Sequence, residues 1–125
     1  MIKIDGTLYK CMADAAPLFS TAKSILLRDM PYLESLPDFP MAEDVHLENI
    51  PKLKHVPACP AAKIVCLFNL LVTELPEFPG IIDLHIENLP LLEEIQDFHL
   101  GMRFWIKNIS PINYKIIADL DKSKN

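Results

Sequence analysis

The chain repeats itself at a period close to 20 residues, and that period decides most of what it can fold into. Asp44-Val-His-Leu-Glu-Asn49, Ile64-Val-Cys-Leu-Phe-Asn69 and Asp83-Leu-His-Ile-Glu-Asn88 are versions of one segment. The first copy, Ile25 to Pro40, reads ILLRDMPYLESLPDFP, and a fifth begins FWIKNISPI at Phe104. An Asp or Asn marker falls at 29, 49, 69, 88 and 108, in steps of 20, 20, 19 and 20. The third copy lacks the proline that Pro31, Pro51 and Pro90 place after the marker, which accounts for the short step. A fixed period of this length predicts a solenoid, in which each coil packs only on its neighbours.

Each unit opens with period-two alternation, which predicts a short strand. Its later half, LPDFP or LPEFP, excludes a helix. Proline has no amide donor and holds the preceding residue extended. Twenty residues for a strand, a turn and a return leave the return extended or 3₁₀. A lone coil buries about six apolar side chains at roughly 1.5–3 kcal/mol each. Ordering its backbone costs about 1–2 kcal/mol per residue, so coils are stable only when stacked. The core columns expected are Ile25/Val45/Val65/Leu84/Phe104, Leu27/Leu47/Leu67/Ile86/Ile106 and Met30/Ile50/Leu70/Leu89/Ile109. A spine of Phe39, Cys59, Phe78 and Phe98 is expected behind them, with Cys59 as a core filler rather than a reactive thiol.

The apolar-x-apolar-x-x-apolar-Pro-x-apolar-x-x-apolar-Pro spacing over residues 22–112 resembles the leucine-rich repeat family, in the short form of microbial and large-virus proteins and plant immune receptors. That family usually carries Asn or Cys three positions after the second strand leucine, bonded to the neighbouring coil. Here that position holds Met30, Ile50, Leu70, Leu89 and Ile109. The residues available for a buried asparagine ladder, Asn49, Asn69, Asn88 and Asn108, sit one place earlier. The resemblance implies a right-handed, mostly β and coil solenoid with a parallel concave sheet and little helix. It also implies that the concave face binds a protein or peptide.

The organisation expected is an N-terminal cap over 1–21, about five coils over 22–112, a C-terminal cap over 113–120 and a disordered tail over 121–125. In the first cap Ile2-Lys3-Ile4 reads as an extra strand with Leu8 folding behind it, and Met12 to Phe19 as a short helical turn interrupted by Pro17.

Alternation assigns the outward side chains to three columns: Ser24/Asp44/Ile64/Asp83/Arg103, Leu26/His46/Cys66/His85/Trp105 and Arg28/Glu48/Phe68/Glu87/Lys107. The pattern across the face is banded. Acidic strands carrying His46 and His85 flank an apolar one, Ile64, Cys66 and Phe68, and the outermost strands are basic. An apolar strip rimmed by charge predicts a protein-binding site made of Ile64, Cys66, Phe68, His46, His85, Trp105, Asp44, Glu48, Asp83 and Glu87. The alternative is self-association as a homodimer, through this face or the edge of an end strand.

Other classes fit poorly. A net charge of −5 with no basic stripe argues against nucleic acid. No apolar run has the length of a membrane span, and the first residues lack a secretory layout. Three cysteines without a CxxC pair fit reduced thiols, hence a cytoplasmic location. His46 and His85 lie two strands apart, about 10 Å, too far to converge on zinc, so no metal or other cofactor is expected. Cys66 between two histidines suggests a thiol nucleophile, but a repeat sheet supplies neither cleft nor oxyanion hole. No enzymatic activity is expected.

Overall fold

The computed structural model describes residues 1–93 and 103–109. It is a mostly β and coil solenoid built on one seven-stranded sheet of order β2-β1-β3-β4-β5-β6-β7. The repeat strands are β3 (Ser24–Arg28), β4 (Asp44–Ile50), β5 (Ile64–Leu70), β6 (Asp83–Leu89) and β7 (Arg103–Ile109), each parallel to the next. The register places Ile25, Val45, Val65, Leu84 and Phe104 side by side, and likewise Leu27, Leu47, Leu67, Ile86 and Ile106. These columns are buried, except that Phe104 and Ile106 in β7 and Met30 after β3 are half-buried. Phe39, Cys59 and Phe78 line the return side as a buried spine. Phe98, the cap at 113–120 and the tail at 121–125 lie outside the described residues.

Proline sets the turn that leaves each strand. The amides of Leu33, Leu53 and Leu92 bond the carbonyls of Met30, Ile50 and Leu89. Pro31, Pro51 and Pro90 occupy the second position of these turns, where a fixed φ near −65° is wanted. In the third coil Val72 reaches the core after only Leu71, which stays 46% exposed. The missing residue is therefore the turn residue, and the strand and spine registers survive the deletion. At the next corner the amides of Ala42, Ala62 and Ile81 bond the carbonyls of Phe39, Cys59 and Phe78, and all three of these corner residues are buried.

The marker residues take a role different from a buried ladder. Asp29, Asn49, Asn69, Asn88 and Asn108 are exposed and left-handed, with φ from 54° to 60°. Asn and Asp tolerate this region better than other non-glycine residues. The twist they introduce lets the next residue, Ile50, Leu70 or Leu89, point back into the core. Their side chains link neighbours at the surface: Asn49 Nδ2 donates to Asp29 Oδ1, and Asn88 Nδ2 to Asn69 Oδ1, both at 2.7 Å.

The first end is closed by a hairpin, β1 (Ile2–Ile4) and β2 (Thr7–Tyr9), with β1 antiparallel to β3. Asp5 and Gly6 form its two-residue turn with φ of 48° and 85°, as such hairpins require. Ile2 and Ile4 extend the core columns. Leu8 does not fold behind β1. It pairs opposite Lys3, whose side chain faces away from the core, and is 63% exposed. The period-two pleat dictates this: Leu8 shares a face with Lys3 and Leu26, not with Ile2 and Ile4. A four-residue helix α1 (Met12–Ala15) runs into a 3₁₀ turn over Ala16–Leu18 that contains Pro17. Phe19 then stacks on Phe39, ring centroids 5.1 Å apart, and adds one position to the spine.

Asp5 completes the cap. In the array, one carbonyl accepts two amides from the following coil: Glu43 and Asp44 bond the Lys23 carbonyl, Lys63 and Ile64 the Glu43 carbonyl, Ile82 and Asp83 the Lys63 carbonyl. No coil precedes Lys23 and Ser24. Their amides donate instead to Asp5 Oδ1, at 3.0 and 2.9 Å. A carboxylate thus replaces the carbonyl of an absent coil.

Candidate protein-docking face

Successive strands put their even or odd side chains on the same open face, so the three expected columns form as rows of direct register partners. All ten candidate residues share this face. Hairpin β1–β2 lengthens the middle row to Leu8, Lys3, Leu26, His46, Cys66, His85 and Trp105. Leu8 was not expected there. The Asp5-Gly6 dipeptide is the signal that would have placed it, because a two-residue hairpin fixes the register of both strands.

The rings lean across the columns. Phe68 lies between His46 and His85, with ring centroids 5.2 and 4.9 Å away, and His85 meets Trp105 edge-on at 5.9 Å. A continuous aromatic line therefore crosses β4, β5, β6 and β7. Phe68 and Cys66 are half-buried by these neighbours, whereas Ile64 is 41% and Trp105 60% exposed. Ile64, Cys66, His85 and Trp105 border a shallow depression of about 320 Å³, whose rim carries Asp83 and Arg103. A second depression of about 280 Å³ lies between Glu48, Phe68 and Glu87.

The charges are partnered across strands. Arg103 clasps Asp83 with two contacts, Nε–Oδ1 at 2.7 Å and Nη2–Oδ2 at 2.9 Å. Lys107 stands 3.9 Å from Glu87. Glu48 receives both His46 Nε2 and Arg28 Nε at 3.1 Å. The Arg28 contact is close but not aligned as a hydrogen bond. Asp44 has no ion pair among the described residues.

Burial pushes the Cys66 thiol above its usual pKa, and the nearby Asp44 and Asp83 carboxylates push the same way. A thiolate is the reactive form, so this environment suppresses nucleophilic chemistry. Neither histidine bonds Cys66 Sγ; His46 is turned to Glu48. Cys59 is driven further, to about 12, chiefly by burial and secondarily by Asp38. Its thiol donates to the Pro57 carbonyl at 3.2 Å. Among the described residues no three His, Cys, Asp or Glu side chains converge on a point that could hold a metal ion, and no helix is long and apolar enough to cross a membrane.

Comparisons with protein-family models, with curated proteins and with solved structures find no match to this chain.

Proposed function

We propose that this protein is a non-enzymatic interaction module that binds a protein or peptide across the open face of its sheet. The observation that carries the reading is the apolar strip on β5. Its flanking strands present Asp, His and Glu at the positions where β5 presents Ile64, Cys66 and Phe68. A solvated sheet face gains nothing from such a strand. A docking site does, because a central apolar anchor with a polar rim is where binding energy concentrates. The exposed Trp105 and Ile64 add rigid apolar area at its border. The resemblance to leucine-rich repeats supports the same surface. The raised Cys66 thiol supports recognition over chemistry, and three free thiols fit a cytoplasmic setting.

The experiment is capture of partners from the native host by wild type, Phe68→Asp and Trp105→Ala proteins, each first checked for an unchanged circular dichroism spectrum. The reading expects a partner retained by wild type and lost by both variants. Retention by both removes the open face from the binding surface.

A further inference from the structure

The charges around the apolar strip specify what can sit on it. Three ion pairs between strands of this face have the cation on the outer strand and the carboxylate on the inner one: Arg28 on β3 with Glu48 on β4, and Arg103 and Lys107 on β7 with Asp83 and Glu87 on β6, while Lys63 and Glu43, in the turns just before β5 and β4, pair the other way round. The three pairs on the face therefore turn their negative ends toward β5. Asp44, directly opposite Ile64 in the register, adds a carboxylate that no cation offsets among the described residues. Burial is the main reason the Cys66 thiol favours its protonated form, and Asp44 and Asp83 on either side add to it, so their negative potential reaches the centre of the strip.

This layout opposes a second copy of the chain as occupant. Two copies stacked face to face share a two-fold axis lying between the sheets. With that axis along β5, Asp44 meets Asp83 of the other copy and Glu48 meets Glu87. With the axis across the strands, Asp44 meets Glu48 and Asp83 meets Glu87. Either orientation that brings the two apolar strips together also sets acid on acid, and like charges brought together in an interface are costly.

Resting on the docking reading above, we propose that the occupant is a basic segment of another protein. An apolar or aromatic side chain anchors over Ile64, Cys66 and Trp105, and a lysine or arginine reaches Asp44. Adjacent strands are about 4.8 Å apart, so the cation stands about one to two strand spacings, 5–10 Å, from the anchor. Side chains one or two turns apart on a helix, or two or three residues apart in an extended segment, span that distance. Asp44 is where such a cation gains most, because the other three carboxylates already have partners.

The test is selection of a random peptide display library on the wild-type protein, followed by affinity measurement of the enriched peptides on wild type, Asp44→Lys and Ile64→Asp. The expected result is enrichment of Lys or Arg within a few residues of Leu, Phe or Trp. Affinity should fall at least about tenfold on Asp44→Lys, in keeping with loss and reversal of one charge-assisted contact. It should also weaken as salt is raised. Neutral or acidic peptides that lose binding on Ile64→Asp but not on Asp44→Lys would overturn the basic occupant while leaving the docking face standing. Peptides insensitive to Ile64→Asp, or no enrichment at all, would remove the docking face and this proposal together. A concentration-dependent dimer in light scattering that Ile64→Asp dissociates would make the occupant a second copy and overturn the proposal.

Discussion

Replacing Asp5 tests how the solenoid is ended. Its Oδ1 accepts the amides of Lys23 and Ser24 at 3.0 and 2.9 Å, standing where every later coil uses a backbone carbonyl. Hydrogen bonds to a charged group contribute about 1.5–3 kcal/mol each. These lie near solvent, which lowers them to about 1 kcal/mol apiece. Asp5→Ala therefore loses about 2 kcal/mol from the two amides. Asp5 also sits at φ 48°, where an ordinary side chain costs a further 1–2 kcal/mol or so. The total is about 3–4 kcal/mol, a large share of the stability of a domain this size. Two companions separate the terms. Asp5→Gly removes the carboxylate but relieves the backbone, so it should lose only about 2 kcal/mol. Asp5→Asn keeps an acceptor oxygen and tolerates the left-handed region, so it should lose about 1 kcal/mol. Urea unfolding gives the differences, and hydrogen exchange at Lys23 and Ser24 should speed up in the alanine and glycine variants and change least in the asparagine one. An alanine variant as stable as wild type, or an asparagine variant as damaged as alanine, would refute the substitution of carboxylate for coil.

Three further outcomes follow from the same structure. At Asn69, φ 54°, a change to Val should destabilise by about 1–2 kcal/mol more than a change to Gly in thermal or urea unfolding, because both lose the hydrogen bond from Asn88 but only Val incurs the left-handed penalty. Cys59 has a pKa raised from 9.0 to about 12, so it binds its proton more tightly folded than unfolded. Its contribution is full below pH 9.0 and is lost as pH rises toward 12, by at most about 1.4 kcal/mol per unit, and Cys59→Ala should flatten that part of the stability–pH curve. Iodoacetamide near neutral pH should label exposed Cys11 first, Cys66 slowly and Cys59 only on unfolding, read by peptide mass spectrometry; Cys66 labelling faster than Cys11 would contradict its raised pKa.

The register of the sheet was legible because one marker residue recurs in every copy, and a period-two strand then assigns each side chain to a face. This is why Ile64 and Cys66 can be set in register with Asp44 and His85, and His85 in turn with Trp105 two strands from the strip. The marker's own role was less plain. The chemistry of Asn and Asp allows either a side-chain ladder or a left-handed backbone, and the backbone is the main use made of it here. Phe19 lies 20 residues before Phe39 and continues the spine, a period that reaches into the cap but is masked by the loss of the strand motif there. The Asp5-Gly6 turn carried a hairpin signal that also determines the exposure of Leu8. The lean of His46, Phe68, His85 and Trp105 into one aromatic line depends on rotamers, which follow from packing rather than from spacing.

The most direct test of the docking face is a titration of an enriched peptide into isotope-labelled protein, followed by amide and side-chain chemical-shift changes. The largest changes should fall on Asp44, Ile64, Cys66, Phe68, His85 and Trp105, with the spine residues Phe39, Cys59 and Phe78 unmoved. Changes centred on the return side of the coils, with the β5 strip unperturbed, would contradict the docking face.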